Sequence, residues 1–61
     1  MEQNYKIIIF TTEGVIERVF YKKETAIEAI AEFKRRFNDF MTGVVSEKIK
    51  GKWNNICRIE K

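Results

Sequence analysis

The sequence contains no histidine and no proline, and its only cysteine is Cys57. Without histidine there is no Cys–His nucleophile pair, and a structural zinc site lacks its usual ligand set. A lone cysteine forbids an internal disulfide. No apolar run approaches the roughly 18 residues that a membrane-spanning helix needs. Met1-Glu2-Gln3-Asn4 has neither the basic nor the apolar segment of a secretory signal. A cytoplasmic protein with no membrane contact is therefore expected, and a single thiol suits a reducing compartment. The carboxylates are scattered, with no spacing that pairs two of them for acid–base work. The expectation is a protein that is not an enzyme, with no cofactor and no metal.

What remains is a short, mixed chain. Its 61 residues suffice for one small domain, 1–61, and leave no room for a second. A domain of this size buries only about 60% of the surface its unfolded chain exposes. A hydrophobic fraction of 44% with 13% aromatics belongs to a folded chain rather than a disordered one. The net charge of +3 is modest for a nucleic-acid binder. Isoleucine, lysine, glutamate and asparagine are abundant, a usage typical of AT-rich genomes such as those of low-GC bacteria and their phages.

Periodicity divides the chain into a hairpin, a helix and a second hairpin. Strands are expected at about 5–11, 15–21, 44–49 and 53–59, and a helix at about 26–38. The fold class is α+β, ββαββ, with a four-stranded antiparallel sheet in the order 2-1-3-4 and the helix packed on one face. Thr12-Glu13-Gly14 reads as a three-residue loop with glycine last. That register pairs Thr11 with Val15, Ile9 with Glu17 and Ile7 with Val19. Thr25-Ala26-Ile27-Glu28 reads as a capping box that starts the helix. Ala26, Ala29, Ile30, Phe33 and Phe37 then form its apolar stripe. Phe40 and Met41 are expected to fold back onto the core. Around Lys50-Gly51-Lys52 the apolar pattern favours a three-residue loop, with Ile49 opposite Trp53 and Val45 opposite Cys57. A two-residue Gly51-Lys52 turn is the alternative.

The first hairpin is apolar on both faces, whereas one helix covers only one face. The helix side is assigned Ile7, Ile9, Val15 and Val19 from the first hairpin, with Val45, Ile49, Trp53, Cys57 and Ile59 from the second. The open face is then expected to carry Ile8, Phe10, Ile16, Phe20, Val44 and Ile56. Lys6, Arg18, Lys48 and Arg58 are interleaved with them, and Glu60 lies near the end. The candidate interaction face is Lys6, Ile8, Phe10, Ile16, Arg18, Phe20, Lys48, Ile56 and Arg58.

Such a face indicates a non-enzymatic module that docks on a protein partner, itself or a host protein. By analogy, this resembles the way small phage and mobile-element proteins modulate a host. The alternative is single-stranded nucleic-acid binding, with bases stacked on Phe10 and Phe20 and phosphates on the cations. A homodimer is expected, joined across the open face or edge to edge, because the exposed apolar patch is larger than small monomers usually tolerate. Lys34-Arg35-Arg36 reads as complement to the helix C-terminus, and Cys57 and Trp53 read as core.

Overall fold

The computed structural model describes residues 2–61. The elements are β1 (Tyr5–Thr11), β2 (Gly14–Phe20), α1 (Lys23–Arg36), β3 (Phe40–Ile49) and β4 (Lys52–Glu60). The strands form one antiparallel sheet in the order β2-β1-β3-β4, and α1 packs across one side. This is the ββαββ, α+β architecture that the apolar periodicity predicts.

β1 lies in the sheet interior between β2 and β3, which suits a strand apolar on both faces. Ile7 and Ile9 pack with Val45, Phe40, Ala26 and Ile30 in the core beneath α1. Ile30 is fully buried, and burial of one such side chain contributes about 1.5–3 kcal/mol. Phe33 of α1 stacks on Phe37 at 4.5 Å between ring centroids and meets Phe40 at 6.4 Å. Phe40 thus belongs to the core as expected, but as the first residue of β3. Met41 does not join it; it is exposed and forms an extra residue in β3 opposite the Phe10/Thr11 step of β1.

Three local expectations are corrected. First, the β1–β2 loop has two residues, Thr12 and Glu13, because Gly14 already pairs with Thr11. Thr11 Oγ1 accepts from the Glu13 amide at 3.1 Å and donates to the Gly14 carbonyl at 2.9 Å, which closes the shorter turn. Gly14 has φ +146°, a conformation that L side chains rarely adopt. A one-residue change of register turns every β2 side chain to the opposite face. Ile9 now opposes Ile16 and Tyr5 opposes Phe20. Ile16 and Phe20 pack against the core, while Val15 and Val19 face away from it. The larger pair therefore goes under the helix, gaining about 0.8 kcal/mol per additional buried methylene.

Second, the helix begins two residues before Thr25. Its N-cap is Lys22, with φ −124° and ψ 142° and no side-chain cap. Thr25 and Glu28 lie within the helix, so the capping-box pattern does not cap here. Lys34, Arg35 and Arg36 do occupy the last turn, where cations complement the helix dipole. Glu32 pairs with both Arg35 and Arg36 on the exposed side.

Third, the β3–β4 turn is neither of the two expected. Lys50 and Gly51 alone form the loop, with φ +52° and +80°, and Ile49 opposes Lys52. Two positive φ values in a two-residue loop define a type I′ turn, whose twist matches that of the strands. Val45 still opposes Cys57, as expected, because a bulge inserts Ile56 between the Val45–Cys57 and Ser46–Asn55 pairs. Below the bulge the alternation of β4 is inverted, and Trp53 pairs with Lys48 on the open face rather than entering the core.

Candidate docking face

Directly paired residues share a face of an antiparallel sheet. Since Ile7, Ile9 and Val45 lie under α1, the intervening residues Lys6, Ile8, Phe10, Val44 and Ser46 face the other way. The open face is a grid of three rows read from β2 to β4. The middle row is Glu17, Ile8, Val44, Arg58. Toward one end lie Val19, Lys6, Ser46 and Asn55 with the bulged Ile56; toward the other lie Val15, Phe10, Thr42 and Glu60. Lys48 and Trp53 extend the grid beyond the first of these rows.

Among the described residues no element covers this grid. Phe10 is 39% exposed, Val15 59%, Val19 43% and Ile56 39%. Val44, in the middle, is only 5% exposed. Of the candidate interaction residues, the structure brings Lys6, Ile8, Phe10, Lys48 and Arg58 together on the open side, while Ile56, left unpaired in the β4 bulge, is exposed. It sends Ile16, Arg18 and Phe20 to the helix side, for the register reason given above. Val15, Glu17, Val19 and Trp53 take their places.

The charges of this face sit at its margins. Lys6 Nζ lies 4.6 Å from the centroid of the Trp53 ring and Lys48 Nζ 5.9 Å from it, distances at which cation–π attraction operates. Lys6 is thereby drawn along the sheet, away from the apolar middle. Arg58 reaches Glu60 at 3.7 Å on the β4 edge. Glu17 stands alone on the β2 edge. Ser46, nearly buried, donates to Asn55 Oδ1 at 2.7 Å, so the polar centre of the first row is satisfied within the sheet.

On the helix side, the Tyr5 hydroxyl donates to Glu47 Oε2 at 3.2 Å. That hydrogen bond, then desolvation and the negative charges of Glu47 and Glu24, raise the Tyr5 phenol above its ordinary pKa of 10.0. Cys57 is a free, half-buried thiol packed against the core. Among the described residues no three potential metal ligands cluster, and no helix is long and apolar enough to cross a membrane.

No protein-family model matches this chain, and comparison with curated proteins and with solved structures returned no match.

Proposed function

We propose that this protein is a non-enzymatic interaction module that acts by docking its open sheet face on a protein surface. The observation that carries the reading is the distribution of side chains on that face. Ile8 and Phe10 of β1 lie between Val44 of β3 and the edge-strand valines Val15 and Val19, which Glu17 separates; Arg58 and Glu60 stand on the opposite edge, and Lys6 and Lys48 lie over Trp53. An apolar core with a polar rim is the anatomy of protein–protein contacts. Patches of this kind on small chains mark binding sites.

Single-stranded nucleic acid is the second reading, favoured by Trp53 and Phe10 sharing the open face with Lys6, Lys48 and Arg58. It is the weaker one. Phe20, half of its original stacking pair, packs against the core, and the Trp53 ring already holds a lysine at 4.6 Å. Base stacking there would have to displace that ammonium.

A photoreactive amino acid placed at Val15 tests the reading in the native cells, with the same group at Glu28 on the outer side of α1 as control. Covalent adducts to protein, formed from position 15 and absent from position 28, are expected. Equal labelling from both positions, or adducts to nucleic acid from position 15, would overturn it. A titration with mixed single-stranded oligonucleotides at two salt concentrations completes the test. Tight, salt-sensitive binding lost in Trp53→Ala would transfer the assignment to the second reading.

A further inference from the structure

The open face carries charges of opposite sign on its two edge strands. In its middle row the two ends have opposite signs: Glu17 stands on edge strand β2 and Arg58, whose guanidinium also reaches Glu60 at 3.7 Å, on edge strand β4, with Ile8 and Val44 between them. A two-fold axis lying in the interface and running along the strands stacks β2 of one copy over β4 of the other, and β1 over β3. Glu17 then meets Arg58 of the second copy, twice per pair, while Ile8 meets Val44. A two-fold axis across the strands through the same row does the opposite. It sets Glu17 against Glu17 and Arg58 against Arg58, which like-charge repulsion forbids.

Resting on the docking reading above, we infer that the occupant of the open face is a second copy of this chain, related by a two-fold axis along the strands and keyed by reciprocal Glu17–Arg58 pairs. In the rows on either side, Phe10 comes over Thr42 of the second copy and Lys6 over Ser46, with the lysine head already withdrawn onto Trp53, while Val19 meets Asn55 and Val15 meets Glu60 at the margins. The two sheets pack as an aligned sandwich, their strands crossing at about 30° with the axis bisecting that angle. Each chain alone exposes 4563 Å², against about 4,200 Å² expected for a folded monomer of 7.3 kDa. Four strands spaced by about 4.8 Å present a face on the order of 450–500 Å² on each copy, so the pair buries roughly 900–1,000 Å² in total, the size of a weak, transient interface. Association through so small a face is expected to depend on concentration.

Analytical ultracentrifugation of the purified chain from about 10 µM to about 1 mM gives the readout, with amide NMR spectra establishing that each variant is folded. Twice the 7.3 kDa monomer mass is expected at the upper concentrations. Glu17→Arg and Arg58→Glu should each weaken association at least about tenfold, and the double variant should recover most of it. Phe10→Glu should abolish association. A folded chain that stays monomeric throughout overturns the inference. The docking reading would then stand or fall separately on whether position 15 labels a different protein in cells. A dimer insensitive to Phe10→Glu and to Val15→Glu overturns it as well, and assigns assembly to an edge strand. A dimer broken by Phe10→Glu but indifferent to both charge reversals overturns the axis while leaving the face as the interface.

Discussion

Ile30 of α1 rests so closely on Gly43 of β3 that a Cβ built at residue 43 would lie 2.6 Å from Ile30 Cγ2. Isoleucine is stiff at χ1, and Ile30 is fully buried, so the methyl has nowhere to go. Gly43 is therefore the point at which the helix is seated on the sheet. Gly43→Ala should lower stability by about 1–3 kcal/mol in chemical denaturation. The double variant with Ile30→Ala should cost less than the sum of the two single changes, because the clash and the cavity offset each other. Strict additivity would show that the close approach does not seat the helix.

The uncapped start of α1 offers a gain. Lys22 holds the N-cap position in extended geometry without a capping side chain, and it places a positive charge at the positive end of the helix. Lys22→Asp should raise stability by about 1 kcal/mol. Thr25→Ala should change it by less than about 0.5 kcal/mol, since Thr25 lies inside the helix. Thermal unfolding of the two variants side by side separates this helix start from the capping-box start, which requires the reverse order.

The β3–β4 turn holds a lysine at φ +52°, a left-handed conformation that costs an ordinary L residue roughly 1–2 kcal/mol. Lys50→Asn produces the favoured Asn-Gly pair of a type I′ turn and should raise the melting temperature by a few degrees. Gly51→Ala, at φ +80°, should lower it. If Lys50→Asn were neutral or harmful, the turn in solution would not be type I′.

The Tyr5–Glu47 hydrogen bond links folding to alkaline pH. The folded-state phenol ionises above the ordinary 10.0, so the folded state holds its proton when the unfolded chain has begun to lose it. This contribution is complete below about pH 10 and is lost as pH rises through the folded value. The stability of the parent should fall more steeply above pH 10 than that of Tyr5→Phe. In a tyrosine absorbance titration, Glu47→Gln should move the late-ionising component toward the ordinary value. An unchanged titration would show that Glu47 does not hold the hydroxyl.

The sequence by itself determined the elements, their order and the existence of an uncovered sheet face. Those follow from residue type and spacing: apolar runs of strand length, a 3.6-residue stripe in Ala26, Ile30 and Phe33, and too little helix for two apolar faces. What only the tertiary structure decided was which side chains occupy that face. Side-chain direction in a strand has a period of two, so one residue of loop or bulge reverses an entire strand. Gly14 joins β2 instead of the loop, which exchanges Ile16 and Phe20 for Val15 and Val19. Ile56 bulges from β4, which moves Trp53 out of the core. Local pattern is degenerate for both choices, because β2 is apolar on either parity. The selection comes from the long-range gain of placing the larger side chains under α1, together with a turn closed by the Thr11 hydroxyl. The opposition of Glu17 and Arg58 across one row emerges only after both registers are set, since it depends on residues 41 positions apart lying at opposite edges of the same sheet.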